Sequence, residues 1–222
     1  MACGVSVIAI DGPAAAGKTA VGRELARTLG FAYLDTGMMY RAITWMALQN
    51  GISVEDPASL GELARANPMG LVADDPTKII LAGLTLGPQL REPVVDGNVS
   101  AVSKATPVRK ELAAQQQQTA AKGNIVMIGR DIGTVVLPNA DIKVFLTASP
   151  EVRGRRRWQE MRDRGESVEL EAVLKDTMDR DEIDSNREDS PLRPAEDAWE
   201  LNTDGLNIQQ VVRKILDQAE NR

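Results

Sequence analysis

The run Gly12-Pro13-Ala14-Ala15-Ala16-Gly17-Lys18-Thr19 has the spacing GxxxxGK[ST], in which small residues leave backbone N–H groups free to surround a polyphosphate. Lys18 would reach the β and γ phosphates, and Thr19 offers a hydroxyl to Mg²⁺, which keeps waters and phosphate oxygens as its other ligands. Ala20, next in the chain, completes the segment expected to bind ATP. An Arg-Asp pair, Arg130-Asp131, follows the apolar run 125–128, where a nucleotide motor or switch would place a bare metal-holding Asp. The arginine in front of the acid points to an anion site beside the loop. Arg41, after Asp35-Thr36-Gly37 and Tyr40, is a second candidate, because a guanidinium can hold a phosphate through forked, charge-assisted bonds. For Arg41 the alternative is an ordinary surface arginine on a helix.

Two further groups carry charge in a regular pattern. Arg153, Arg156 and Arg157 fall at i, i+3 and i+4 in the Arg-rich segment 152–164, which suits arginines closing over bound nucleotides. A solvated basic helix paired with Glu160 and Glu169 would show the same pattern. Arg180, Asp184 and Arg187 fall at i, i+4 and i+7, either as ligand-binding groups on one helix face or as an ion-pair ladder with Asp176.

Other chemistries are excluded by composition. The 222 residues contain no His and a single Cys, Cys3, which removes imidazole bases, disulfide frameworks and Cys/His zinc sites. Lys plus Arg number 26 against 32 Asp plus Glu, and the net charge of -6 argues against a general nucleic-acid or anionic-membrane binder. No apolar run reaches the roughly 18 to 20 residues a membrane helix needs, and no basic stretch precedes the first apolar one. A cytoplasmic, monomeric protein is the expectation. An [NT]KxD-like guanine-reading segment is absent, which disfavours a GTPase. The second buried run, 142–146, leads into Thr147-Ala148-Ser149 without an acid, which disfavours large ATPase motors.

These side chains need a scaffold. Residues 5–10 read as a strand and 18–29 as a helix, so the phosphate loop sits between the elements it requires. A brief strand at 33–35 precedes a helix over 37–49, with Met38, Tyr40, Ile43, Met46 and Ala47 on one face. A short helix is expected over 57–66, and brief strands over 71–90, broken at Asp74-Asp75-Pro76, form a small β insert. Helices over 94–105 and 108–122 meet at Thr106-Pro107, and Gln115 to Gln118 are expected to face solvent. The runs 125–128 and 142–146 have the continuous apolar character of parallel strands covered on both faces. A helix over 170–184, a strand over 198–202 and a helix from 208 complete an α/β layered fold.

Taken together, Ile10-Asp11-Gly12-Pro13, Leu34-Asp35-Thr36-Gly37 with Tyr40-Arg41, the run from Gly129 to Val136, and Arg180-Asp181 with Asn186-Arg187 and Pro191-Leu192 resemble the bacterial cytidylate kinases. Those enzymes belong to the nucleoside monophosphate kinase family of P-loop kinases. The resemblance spans nearly the whole chain and implies a three-layer P-loop fold with a parallel central sheet. It divides the chain into a core (1–36, 98–148 and 168–222), a monophosphate-binding region with a β insert (37–97) and an Arg-rich lid (149–167).

The implied reaction transfers the γ-phosphoryl group of ATP to CMP or dCMP with Mg²⁺. The implied catalytic groups are Lys18, Asp35, Arg130, Arg153 and Arg157, with Asp35 ordering the waters of Mg²⁺. Thr36, Tyr40, Arg41 and Arg130 would bind CMP, Thr36, Arg41 and Arg130 at its phosphate, and Thr36 replaces the family's more usual Ser. Cytosine offers an amino donor where uracil offers an oxygen, so a buried acceptor is needed to tell them apart, and Asp131 is the candidate. By the same resemblance Ser100 and Arg109 complete the base contacts. Arg180 and Asp184 would bind the ribose, assisted by Arg187. Two rival readings are a P-loop kinase for a different small acceptor and a regulatory module that binds ATP without transferring its phosphate.

Overall fold

The computed structural model describes residues 5–72 and 75–220, so Cys3 and Asp74 of the sequence reading lie outside the described residues. The first half of the chain runs β1 (Val7–Asp11), α1 (Lys18–Leu29), β2 (Ala32–Asp35), α2 (Thr36–Gln49), α3 (Pro57–Ala66), β3 (Met69–Leu71), β4 (Ile79–Leu81) and β5 (Leu84–Leu86). It continues through α4 (Pro93–Lys104), α5 (Thr106–Ala120), β6 (Ile125–Ile128), β7 (Ile142–Thr147), α6 (Pro150–Asp163), α7 (Leu170–Ser185), β8 (Trp199–Asn202) and α8 (Ile208–Glu220).

The main sheet has the order β2-β6-β1-β7-β8, and every neighbouring pair is parallel. Alternating side chains send Ile8, Ile10, Val126, Ile128, Val144 and Leu146 to one face, against α1 and α8. Ala9, Ile125 and Met127 go to the other, against α2 and α5. Each of the larger side chains buried here contributes about 1.5–3 kcal/mol, which is why apolar runs this short suffice.

Parallel pairing has a functional consequence, since all five strands end at the same edge. That edge collects the loop after β1, Thr36 after β2, Gly129-Arg130-Asp131 after β6, Ser149 after β7 and Thr203 after β8.

The small β insert forms as a separate antiparallel sheet, β3-β4-β5, which buries Ile79, Leu81 and Leu86 in the cluster shared with α2, α3 and α5. It begins at Met69, two residues earlier than the pattern suggests. Helix α4 runs through 97/98, the expected boundary between core and insert.

The glutamine run does not face solvent as a whole. Gln116 is 1% exposed. Gln115 accepts from Met69 N at 3.1 Å and donates to Ala64 O at 3.1 Å, while Gln117 donates to Val136 O at 3.0 Å. These amides satisfy backbone groups of the insert and of the turn after β6, a role invisible in a polar repeat. Among the described residues, no helix is long and apolar enough to cross a membrane.

Candidate active site

Helix α1 starts without a side-chain cap, so its first N–H groups are open to a ligand. Its cap residue, Gly17, has φ +97°, and Ala15 also lies in the left-handed region at φ 56°. Gly12 has φ +145°, and a Cβ there would lie 2.1 Å from the Leu146 carbonyl oxygen, so no side chain fits where the loop leaves β1. Lys18 Nζ donates to Gly12 O at 2.7 Å and Pro13 O at 2.5 Å. Burial, then the charge of Arg130, holds its pKa well below the ordinary lysine value.

At the foot of the loop, Thr19 Oγ1 donates to Asp35 Oδ2 at 3.3 Å, and Asp35 Oδ1 caps α2 by accepting from Gly37 N at 3.0 Å. This pair of hard oxygens fits Mg²⁺ carried in with phosphates and waters. Among the described residues no group of three or more His, Cys, Asp or Glu is arranged to hold a metal without such help.

Three contacts fix the end of β6 and the segment after it against the start of α2 and the end of β1. Thr36 Oγ1 donates to Ile128 O at 2.9 Å. Asp11 accepts from Ile132 N at 2.8 Å and Gly133 N at 2.7 Å, which holds the single π turn Ile132–Val136 in place. Burial pushes the Asp11 carboxyl up to about 6 even though both amides favour its charged form.

Beyond Lys18, the cleft is lined mainly by arginines and carboxylates, and it encloses ≈ 1220 Å³ counting its open mouth. Arg130 Nε donates to Asp184 Oδ2 at 2.7 Å. Burial alone would depress the Arg130 pKa and raise that of Asp184. Their mutual attraction outweighs it, so the pair stays charged.

Deeper in the cleft, Arg109 Nη2 donates to Asp131 Oδ2 at 2.5 Å and Nη1 to Ser103 O at 3.2 Å, with the guanidinium 5.9 Å from the centre of the Tyr40 ring. Burial leaves the Asp131 carboxyl raised despite the nearby Arg109. Arg109 Nε and Arg187 Nη2 are buried donors without a hydrogen bond, each facing a carboxylate at longer range, Asp189 at 4.0 Å and Asp184 at 3.6 Å. Ser100 and Arg180 also line the cleft.

Arg187 corrects the helical-face reading, because α7 ends at Ser185 and Arg187 lies beyond it. It nevertheless returns to Asp184, with Nε donating to the backbone oxygen at 3.3 Å and Nη2 at 3.6 Å from Oδ1. Arg41 donates to Leu90 O at 3.3 Å and pairs with Asp96. At 7% exposed it is no surface arginine.

The three arginines of α6 do not act as one face. Arg153 is 5% exposed and donates to Ala148 O at 2.9 Å and Ala14 O at 3.2 Å, with Asp181 at 2.5 Å. It braces the back of the phosphate loop and does not line the cleft. Arg156 holds Thr203 through Oγ1 at 3.0 Å and O at 2.9 Å, and Thr203 Oγ1 in turn lies 3.3 Å from Ala16 O. Only Arg157 of the three lines the cleft, where Nη2 meets Asp96 Oδ2 at 3.1 Å. Helix α6 packs closely on α7 at Gly154, where a Cβ would sit 2.2 Å from Leu174 Cδ2.

Sequence reasoning missed Asp11, Arg91, Asp96 and Thr203. Arg91 lines the cleft and lies 3.8 Å from Asp35. Arg91, Asp96 and Thr203 sit in no spacing that marks them apart from an ordinary loop or cap residue. The Asp11 signal was its place at the end of β1, directly before Gly12.

The family model described as cytidylate kinase matches residues 8–221. A cytidylate kinase of Carboxydothermus hydrogenoformans is 47% identical over 211 residues, covering 95% of both chains. One from Bacillus subtilis is 44% identical over 216 residues, covering 97% of this chain and 96% of its own. Among solved structures, a shikimate kinase from Bacteroides thetaiotaomicron has a TM-score of 0.51 at 15% identity, covering 96% of this chain and 98% of its own, a likeness of fold alone.

Proposed function

This chain belongs to the cytidylate kinase family, and from that premise we propose that it transfers the γ-phosphoryl group of ATP to CMP or dCMP, giving ADP and CDP or dCDP. The observation that carries the reading is one cleft lined both by the phosphate loop and by Arg41, Arg130 and Arg157, a second group of cations suited to an anion. A protein that only sensed ATP would have no use for the second.

The chain's own groups account for the steps. Lys18 and the N–H groups of residues 14–19 bind the triphosphate, and Lys18 exchanges its loop carbonyls for phosphate oxygens. Thr19, with Asp35, would hold Mg²⁺, whose chemistry there is to neutralise phosphate charge and align the donor. The acceptor is a phosphate oxygen, already ionised and nucleophilic, so the reaction needs no strong base and the lack of histidine is no obstacle.

Arg41 and Arg130 orient that phosphate and Arg157 reaches in from α6, so positive charge surrounds the transferring group from α2, β6 and α6. Asp131, positioned by Arg109, accepts from the cytosine amino group, with Ser100 nearby. Asp184 and Arg180 bind the ribose, supported by Arg187. The core, insert and lid divisions, a cytoplasmic location, a monomeric state and the absence of nucleic-acid or membrane partners belong to the same reading.

Its test is ADP formation with ATP and Mg²⁺ against CMP, dCMP, UMP, AMP, GMP and shikimate, beside a control without acceptor. CMP and dCMP are expected to dominate. Preference for another acceptor would reassign the base-reading residues.

A further inference from the structure

Asp96 lies in the first turn of α4, half-buried, between two arginines from separate parts of the chain. One of its carboxylate oxygens pairs with Arg41 of α2 and the other accepts from Arg157 of α6 at 3.1 Å. Arg164, just beyond α6, is 4.0 Å away. Arg41 also lies in the fields of Arg91 and Arg180, so this corner of the cleft gathers several like charges. Left alone, such guanidiniums would repel one another and turn towards solvent. Asp96 places one anion between two of them.

Each guanidinium has five N–H donors in a planar fork. The contact with Asp96 occupies one Nη of Arg41 and one of Arg157, whose other Nη lies 3.6 Å from the exposed Glu160, and N–H donors remain on both guanidiniums for an anion in the cleft. Burial works against the Asp96 charge, but Arg41 and Arg157 outweigh it and hold the carboxyl below its ordinary value, so it stays ionised throughout the neutral range. We propose that Asp96 is a positioning residue that ties Arg157 of α6 to Arg41 of α2, so that the two guanidiniums meet the acceptor's phosphate as a preassembled pair. Asp96 itself touches no reacting atom. The inference rests on the CMP-transfer reading for its kinetics, but the tether between α6 and α4 exists whichever acceptor is used.

The experiment compares the intact protein with Asp96→Asn and Asp96→Glu, and repeats Asp96→Asn in an Arg157→Gln background. Asp96→Asn is expected to raise KM for CMP about tenfold, the scale of one charge-assisted hydrogen bond. KM for ATP and the preference for CMP over UMP should stay put, and Asp96→Glu should recover most of the loss. With Arg157 already replaced, the same change should cost much less, because its route of action is gone. Amide hydrogen exchange in α6 of the protein without nucleotides should quicken in Asp96→Asn. A lower KM for CMP in Asp96→Asn would overturn the proposal, showing the carboxylate to be a competitor of the phosphate. An equal loss with and without Arg157, or unchanged exchange in α6, would overturn it as well. If the unmodified protein prefers another acceptor, the CMP reading fails by itself, and the kinetic comparison is made with that acceptor.

Discussion

On the proposed reading, the donor half of the cleft is backbone from one contiguous loop, whereas the acceptor half is side chains drawn from α2, α4, α5, α7 and the segment after β6. The loop satisfies itself, with Lys18 bonded to Gly12 O and Pro13 O and its shape imposed by Gly12 and Gly17. The acceptor half is a chain of ion pairs, Arg109 with Asp131, Arg130 with Asp184 and Arg41 with Asp96. A backbone cradle reads the polyphosphate that every nucleoside triphosphate shares. Discriminating one monophosphate from another takes side chains, and buried charges must be paired before a ligand arrives. Asp11 joins the halves, since it ends the strand that starts the loop and holds the amides after Asp131.

This contrast can be broken experimentally. Lys18→Ala strikes the donor half and should lower turnover by about a hundredfold or more while circular dichroism stays unchanged. Near-normal turnover would remove Lys18 from the mechanism. Asp131→Asn strikes the acceptor half. It should reduce the preference for CMP over UMP about thirtyfold, the equivalent of a charged hydrogen bond of about 2 kcal/mol, with KM for ATP unaffected. An unchanged ratio of the two kcat/KM values would place the base acceptor elsewhere.

Thr203→Val should do the reverse, raising KM for ATP about fivefold through loss of the Arg156 and Ala16 contacts while leaving acceptor preference alone. If acceptor preference moved instead, the division between the halves would be misplaced.

The junction gives the smallest effect. As pH falls through about 6, Asp11 takes up a proton and loses acceptor capacity for the two amides, so kcat/KM for CMP should decline a few-fold. The acceptor's own phosphate titrates in the same range, so the measurement is the difference between the wild-type pH profile and that of Asp11→Asn. Stability has the opposite sign. Folding raises this carboxyl from 3.8 to about 6, the folded state binds more protons between those values, and the group's contribution to stability falls as pH rises through that window.

The same contrast explains what the sequence made legible. A contiguous loop with obligatory glycines announces itself, and so do strands buried on both faces, which is why β6 appears where its residues predict. Arg41 and Arg130 stood out through the motifs around them. Ser100 and Arg109 were reached only by resemblance, because their place in the cleft depends on packing between separate elements. Asp96 and Thr203 gave no signal at all, since an acid in a first helical turn and a threonine after a strand are common in any chain. The glutamines of α5 misled for the matching reason, as composition does not show which amide faces a strand of the insert.

The most direct test of phosphoryl transfer between the two halves is ³¹P NMR of the protein with ATP, Mg²⁺ and CMP. The account predicts ADP and CDP appearing in equal amounts with no inorganic phosphate released. ADP accompanied by inorganic phosphate and unaltered CMP would contradict it, because the arginine-lined half of the cleft would then receive no phosphoryl group.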